Sequence, residues 1–162
     1  SHLWFNLGNS LLALGRSGRA EVAYREALRI DPGLGGAINN LGILLSRQGR
    51  YAEAAELYER SLQLAGDDPE VLNSAAWLLA TCPRDEIRDG PRAVILASRA
   101  VQLGNSRDAF LLGTLAAAYA EAGDFEAAVR TQQRAADLAP PEQVAGFNER
   151  LELYRAGRPY RR

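Results

Sequence analysis

The sequence predicts an all-α fold: an α-solenoid of four helical hairpins followed by one capping helix. The first observation is an internal repeat, because a shift of 34 residues places the apolar and small residues of one segment on those of the next. The second is that apolar residues recur every three or four positions within each repeat, in two stretches separated by a turn. The superimposed pairs are Leu7 and Leu41, Gly8 and Gly42, Leu11 and Leu45, Gly15 and Gly49, Ala20 and Ala54, Tyr24 and Tyr58, and Ile30 and Leu64. Each repeat is therefore expected to form a hairpin of two packed helices.

The repeats are expected at about residues 1–34, 35–68, 69–108 and 109–140. Small residues at matched positions, such as Gly8 and Ala20, predict a close approach of the two helices in a hairpin. Leu7 and Leu11 are expected on the packed face of the same first helix.

The third repeat has an extended loop between its helices. Pro83 lacks an amide donor and is expected to end the first helix, and Pro91 suits the first turn of the second. Acidic residues in the loop allow interpretation as a metal site, but they alternate with arginines and lack the spacing of a calcium loop. The acids are Asp85, Glu86 and Asp89, and the arginines are Arg84, Arg88 and Arg92. We therefore expect local ion pairs there.

Residues 141–162 are expected to form the capping helix and a short basic tail. An apolar stripe at helical spacing would cover the last hairpin, whose outer face a stack of hairpins otherwise leaves bare. The stripe consists of Val144, Phe147, Leu151 and Tyr154. We interpret the final RPYRR as a solvated tail, the alternative being a segment that binds an acidic surface. Trp4 and Phe5 at the uncovered N-terminal end predict further upstream structure or self-association.

Composition excludes several functional classes. The chain of 162 residues has 19 basic and 20 acidic residues and a net charge of −1, which disfavours binding to nucleic acid or an anionic membrane. With one cysteine, one histidine, no glycine-rich phosphate loop and no nucleophile beside a base, the sequence predicts no catalysis, no cofactor and no metal. No apolar run approaches the roughly 20 residues of a membrane span. The compartment is not determined by these features, and a cytoplasmic location is preferred.

A family resemblance rests on the pattern of the first repeat. Residues 1–140 resemble the tetratricopeptide repeat (TPR) consensus, and the C-terminal half is similar to a module of large bacterial TPR proteins. The pattern consists of Trp4, Leu7, Gly8, Leu11, Gly15, Ala20, Tyr24, Ala27 and Pro32. The resemblance implies a right-handed superhelix whose first helices line a concave groove that holds a peptide or helix of a partner protein. It does not imply catalysis.

A row of polar residues is predicted on the groove face of the first helices. A side-chain amide both donates and accepts hydrogen bonds, so such a row can bind the backbone of an extended peptide. The row is similar to the asparagine ladder of O-linked N-acetylglucosamine transferase, which Asn6 and Asn40 match and from which Ser74 and Thr114 depart. An equally weighted alternative is that Asn6 and Asn40 hydrogen-bond the backbone of neighbouring helices and only fix the stacking of the hairpins. The candidate groove residues are Asn6, Asn9, Asn39, Asn40, Ile43, Arg47, Asn73, Ser74, Trp77 and Thr114.

Trp77 has two interpretations of its own. It is either an aromatic anchor in the groove or a packing residue beneath the loop after Pro83, and we favour packing. The functional prediction is a non-catalytic scaffold that binds a protein or peptide, as part of a larger bacterial protein. The alternative is a substrate-docking or regulatory TPR domain of a multidomain enzyme such as a glycosyltransferase.

Overall fold

The computed structural model describes residues 1–65 and 67–162. Over these ranges the chain forms α-helices and one 3₁₀ turn and contains no strand, in agreement with the predicted all-α class. The helices are α1 (His2–Ala13), α2 (Ser17–Ile30), α3 (Gly35–Arg47), α4 (Tyr51–Ala65), α5 (Pro69–Thr81), α6 (Gly90–Leu103), α7 (Ala109–Glu121), α8 (Phe125–Leu138) and α9 (Val144–Arg155), and the 3₁₀ turn is Asp85–Ile87.

The chain divides into two compact units, Ser1–Ser74 and Ala75–Arg162. In unit 1, α2 packs against both α1 and α3, and α3 packs against α4. In unit 2, α7 packs against both α6 and α8, and α8 packs against α9. Helices that follow one another in sequence are thus neighbours in each unit, as expected for a stack of hairpins.

Glycine ends four of the helices in the same way. After α3, Gly49 has a φ of 76°, a left-handed conformation that side chains disfavour. The turn is held by two hydrogen bonds, from the Gly49 amide to the Ser46 carbonyl (3.1 Å) and from the Arg50 amide to the Leu45 carbonyl (2.9 Å). A glycine with a positive φ also follows α1, α7 and α9, at Gly15, Gly123 and Gly157. The repeated glycine is therefore the residue that lets the chain reverse at the end of a first helix.

A tyrosine packs over a glycine within each hairpin of unit 1. A Cβ atom at Gly8 would lie 2.5 Å from Cε1 of Tyr24, and one at Gly42 would lie 2.3 Å from Cζ of Tyr58. Both tyrosines are buried, so the predicted close approach is present and involves the tyrosine ring. Leu7 differs from expectation because it is half exposed. Among the described residues no helix covers that side of α1, whereas α2 packs against α3.

The extended loop is tied to the end of α7. Asp89 caps α6 by accepting a hydrogen bond from the Arg92 amide (3.0 Å), and a Cβ atom at Gly90 would lie 2.6 Å from the backbone nitrogen of Ala122. The expected local ion pairs join Arg84 to Glu86 and Arg88 to Asp85.

Helix α9 covers the last hairpin with its apolar stripe. Phe147, Leu151 and Tyr154 are buried, and Val144 is partly buried. The Phe147 carbonyl accepts a hydrogen bond from Nε2 of the buried Gln132 on α8 (2.8 Å). The ring of Phe147 also meets Phe110 on α7, with a centroid distance of 5.9 Å. The helix therefore packs against both members of the preceding hairpin.

Candidate functional site

Two asparagines of the predicted row join the first two hairpins. Oδ1 of Asn9 accepts hydrogen bonds from the Tyr24 hydroxyl (2.8 Å) and from Nδ2 of Asn40 (2.8 Å). The three side chains connect α1, α2 and α3 in a partly buried cluster. Burial raises the pKa of Tyr24, and a hydrogen bond with the Asn40 side chain offsets part of that rise.

A second contact joins the next pair of first helices. The Ser74 hydroxyl on α5 donates a hydrogen bond to Oδ1 of Asn39 on α3. With the Asn9–Asn40 bond, it links α1 to α3 and α3 to α5 through polar side chains. Four of the candidate groove residues therefore link neighbouring helices, but through side-chain partners and not through the helix backbone that the alternative interpretation named, and Asn6 is not among them.

The other candidates in unit 1 lie outside these two contacts. Asn6 and Arg47 are exposed, and Ile43 is partly buried. Oδ1 of Asn73 is inaccessible to solvent and accepts no hydrogen bond from the described residues. We define the polar row of unit 1 as Asn6, Asn9, Asn39, Asn40, Asn73 and Ser74.

The candidates in unit 2 have different surroundings. Thr114 is buried within α7. Trp77 is partly buried, its ring lies 5.8 Å from that of Tyr160, and the guanidinium of Arg150 lies 5.8 Å from the Trp77 ring centroid. These partners come from α9 and the C-terminal segment, which sequence reasoning did not connect with Trp77.

The C-terminal segment is docked on unit 2 rather than solvated as expected. The Arg162 amide donates a hydrogen bond to the Thr81 carbonyl at the end of α5 (3.0 Å). Arg161 forms an ion pair with Glu121, the last residue of α7. The sequence contains one indication of this arrangement. Gly157 lies 34 residues after Gly123, which is one repeat length, so α9 corresponds to the first helix of a further repeat.

Burial and neighbouring charges shift the pKa values of two further groups in the described part of the chain. Burial raises the pKa of the Cys82 thiol, so this cysteine is not an activated nucleophile. Burial acts to raise the pKa of Glu21, but hydrogen bonds and charges from Arg50 and Arg25 lower it overall. No group of three or more potential metal ligands occurs among the described residues.

These hairpins, with tyrosine packed on glycine and a glycine turn after the first helix, define a TPR-type protein. The chain belongs to the family described as the Cilia and flagella-associated protein 70 middle TPR-like domain, whose model matches residues 1–139. The predicted TPR resemblance is thus confirmed.

Solved structures with the same fold cover nearly the whole chain. PilF of Pseudomonas aeruginosa has a TM-score of 0.73 and 23% identity, over 96% of this chain and 68% of PilF. Residues 41 to the end of MamA from Desulfovibrio magneticus RS-1 give a TM-score of 0.70 and 20% identity, over 96% and 88% of the two chains. YrrB, described as a TPR protein with an unusual peptide-binding site, gives 0.68 and 19%, over 96% and 77%. These matches confirm the all-α TPR fold.

Curated relatives match shorter segments. Human Protein O-mannosyl-transferase TMTC1 is 33% identical over 78 residues, which are 48% of this chain and 9% of that protein. Tetratricopeptide repeat protein 8 of Caenorhabditis elegans is 39% identical over 56 residues, 35% of this chain and 11% of that protein. The matched segments therefore span about a tenth of the length of these relatives. In the described ranges, no helix combines the length and apolarity needed to cross a membrane.

Proposed function

We propose that this chain is a non-catalytic protein-interaction module that binds a peptide or helix of a partner protein along the polar row of unit 1. Asn39 and Asn40 carry the proposal. They are adjacent, partly exposed, and each makes its stacking contact through a different atom: Asn39 through Oδ1 and Asn40 through Nδ2. The other polar atoms of the two amides, the Nδ2 donor of Asn39 and the Oδ1 acceptor of Asn40, match the carbonyl and amide of a peptide backbone.

The surrounding residues support the same use of this surface. Asn6 offers an exposed amide on α1, and the exposed Arg47 and partly buried Ile43 lie on α3. One row can therefore serve both predicted roles, with stacking contacts between helices and the remaining amide atoms directed at a ligand. Affinity for an isolated peptide is expected near micromolar, about −8 kcal/mol.

The experiment separates binding from stacking with near-isosteric variants. Peptides of ten residues selected from a phage-displayed library would be titrated by calorimetry. Asn39→Asp keeps the acceptor for Ser74 but replaces the Nδ2 donor, so binding should weaken about tenfold, the value of roughly one hydrogen bond. Ser74→Ala is the matched control, because it removes the stacking bond and leaves the Asn39 donor. It should lower stability by about 1 kcal/mol and weaken binding less than Asn39→Asp does, because the Ser74 hydroxyl bonds to Asn39. Equal affinity of the parent and Asn39→Asp would contradict the proposal.

The N-terminal end of unit 1 carries a second candidate surface, which is apolar and suited to self-association. Leu3, Trp4 and Leu7 are 86%, 39% and 45% exposed, whereas the equivalent residues of the next repeat, Ala37, Ile38 and Leu41, are at most 1% exposed. We propose that this apolar face binds a second copy of the chain.

Light scattering across a concentration series tests the self-association. The parent should form dimers as concentration rises, and Leu7→Glu should remain monomeric. Ile95→Glu is the control, because Ile95 of unit 2 is also a large, exposed apolar residue. This variant should dimerise like the parent. A parent that stays monomeric at millimolar concentration would exclude this surface.

The role of this chain within a larger protein is also a proposal. We propose that the module works as part of a longer chain, since its curated relatives are much longer than their matched segments. A bacterial parent remains a prediction, which the bacterial origin of PilF and MamA supports weakly. The docking-domain alternative is not favoured, because a match over 9% of one transferase carries no transferase activity to this chain.

A further inference from the structure

We propose that Trp77, Thr81 and Glu121 form a binding site for an extended peptide in which an aromatic residue precedes an arginine. We call this site the Trp77 edge. In this chain the site is occupied by the chain's own Tyr160–Arg162, which acts as an internal ligand. The site lies wholly in unit 2, so it is independent of the polar row proposed for unit 1.

The end of α5 supplies a backbone acceptor. The last carbonyls of a helix have no partner within the helix and must find donors elsewhere. The Leu78 carbonyl accepts from the Cys82 amide (3.0 Å) and the Leu79 carbonyl from the Asp89 amide (3.0 Å). The Thr81 carbonyl accepts from Arg162 of the C-terminal segment. Any extended peptide offers the same amide donor, so this contact does not depend on the side chain of the ligand.

Glu121 supplies the selectivity for a basic residue. It closes α7, where the helix dipole adds partial negative charge, and it pairs with both Arg161 and Arg88. Arg88 is also held by the Cys82 carbonyl (2.8 Å) and by Asp85, so it stays in place without the tail. Glu121 thus has one fixed partner and one that belongs to the exchangeable segment.

An aromatic slot completes the site. The Arg150 guanidinium lies 4.6 Å from the ring centroid of Phe147, 5.8 Å from that of Trp77 and 5.9 Å from that of Tyr160. Phe147 is buried and α9 is packed on α8, so Arg150 and Trp77 remain as a platform when Tyr160 leaves. A ligand ring placed there would contact an indole and a cation together.

The internal ligand is held in a way that permits exchange. The segment is held by the Tyr160 ring, which contacts Trp77 and Arg150 and packs against the core cluster, by one ion pair and by one backbone hydrogen bond, and Arg161 and Arg162 are exposed. Contacts of these kinds are individually weak. Gly157, with its positive φ, separates the segment from α9 and allows it to swing away without unwinding the helix.

The test removes residues 159–162 in a Trp4→Phe background, which leaves Trp77 as the sole indole. The amidated peptide GRPYRR is then titrated into the shortened chain while Trp77 fluorescence is recorded. Because a short tether gives an effective concentration of about millimolar, a docked tail implies a dissociation constant of about 1 mM or lower for the free peptide. The peptides GRPARR and GRPYEE should bind at least about fivefold more weakly. The full-length chain should bind GRPYRR more weakly than the shortened chain, by about twofold for a dissociation constant of about 1 mM and about tenfold for one of about 0.1 mM.

Controls make each outcome decisive. Arg158→Ala in the full-length chain changes an exposed side chain outside the three contacts and should leave Trp77 emission unchanged. Tyr160→Ala with Arg161→Glu in the full-length chain replaces the truncation if the shortened chain fails to fold, and it should bind GRPYRR as the truncation would. A folded, tail-free chain that shows no saturation up to about 10 mM, or equal affinity for the three peptides, would overturn the proposal.

Discussion

Substitution of Phe147 tests how α9 is held on the last hairpin. The side chain is 2% exposed and packs in a cluster with Ala109, Leu112 and Ala135. Replacing phenylalanine by alanine in a buried site costs about 3 to 5 kcal/mol, and alanine neighbours are too short to fill the space. We expect a loss of about 4 kcal/mol, which is a large share of a stability of about 5 to 15 kcal/mol.

Gly113 provides a stricter test, because the sign of its effect should depend on Phe147. A Cβ atom at Gly113 would lie 2.9 Å from Cε1 of Phe147, so Gly113→Ala should cost about 1 to 3 kcal/mol in the parent. In the Phe147→Ala background the added methyl group enters the vacated space, and alanine is favoured over glycine in a helix by about 1 kcal/mol. The same substitution should therefore stabilise that variant.

Urea denaturation followed by circular dichroism measures all four members of this cycle. Phe110→Ala is the control, because Phe110 touches Phe147 but is 51% exposed and should cost much less. A loss below about 1.5 kcal/mol for Phe147→Ala would refute the packing argument. So would a Gly113→Ala effect of the same sign in both backgrounds.

Three further predictions concern unit 2. Gly90→Ala should destabilise unit 2 by about 1 to 3 kcal/mol, because the new Cβ would meet backbone atoms of Ala122. Gly146→Ala should be neutral or stabilising, because open space surrounds that position. Thermal unfolding of the two variants distinguishes these effects. Burial raises the pKa of Tyr154, with an opposing effect of the Arg150 charge. Stability should therefore fall as pH rises above about 10, where the unfolded tyrosine ionises, and a Tyr154→Phe variant with the same pH slope would contradict this. Cys82 is buried, and burial raises the pKa of its thiol. It should therefore react with a disulfide reagent at least about a hundredfold more slowly in the native chain than in urea. Comparable rates would show that the native structure opens readily around Cys82.

The periodic part of the structure was predictable, and the contacts between distant residues were not. Spacing placed Asn39 and Asn40 within a first helix, and the structure has both in α3, because the apolar residues around them recur at helical intervals. It could not show that Asn40 bonds to Asn9 while Asn39 bonds to Ser74, since an amide can accept either kind of partner. The two interpretations of the row were therefore left open for a physical reason.

The surroundings of Trp77 were missed for a related reason. Its ring partner, Tyr160, lies 83 residues later in the chain, outside any repeat period. The composition of the tail suggested solvation, because basic residues usually face water. What holds the tail is the combination of an open carbonyl at the end of α5 and the carboxylate of Glu121, which becomes evident only once the helix ends are located.

One of the two core clusters of unit 2 is built almost entirely from alanine, and its described buried residues include one larger side chain, Tyr154. An alanine has no rotamer to lose on folding, and helices packed through alanine are spaced by their own backbones. The buried part of this cluster therefore offers few rotamers that could rearrange, and a ligand at the ends of α5 and α7 would meet helices held by close backbone packing. Once the Tyr160–Arg162 segment has left, little further reorganisation should accompany binding there, so ligands of differing affinity should associate at similar rates and differ chiefly in how long they stay bound.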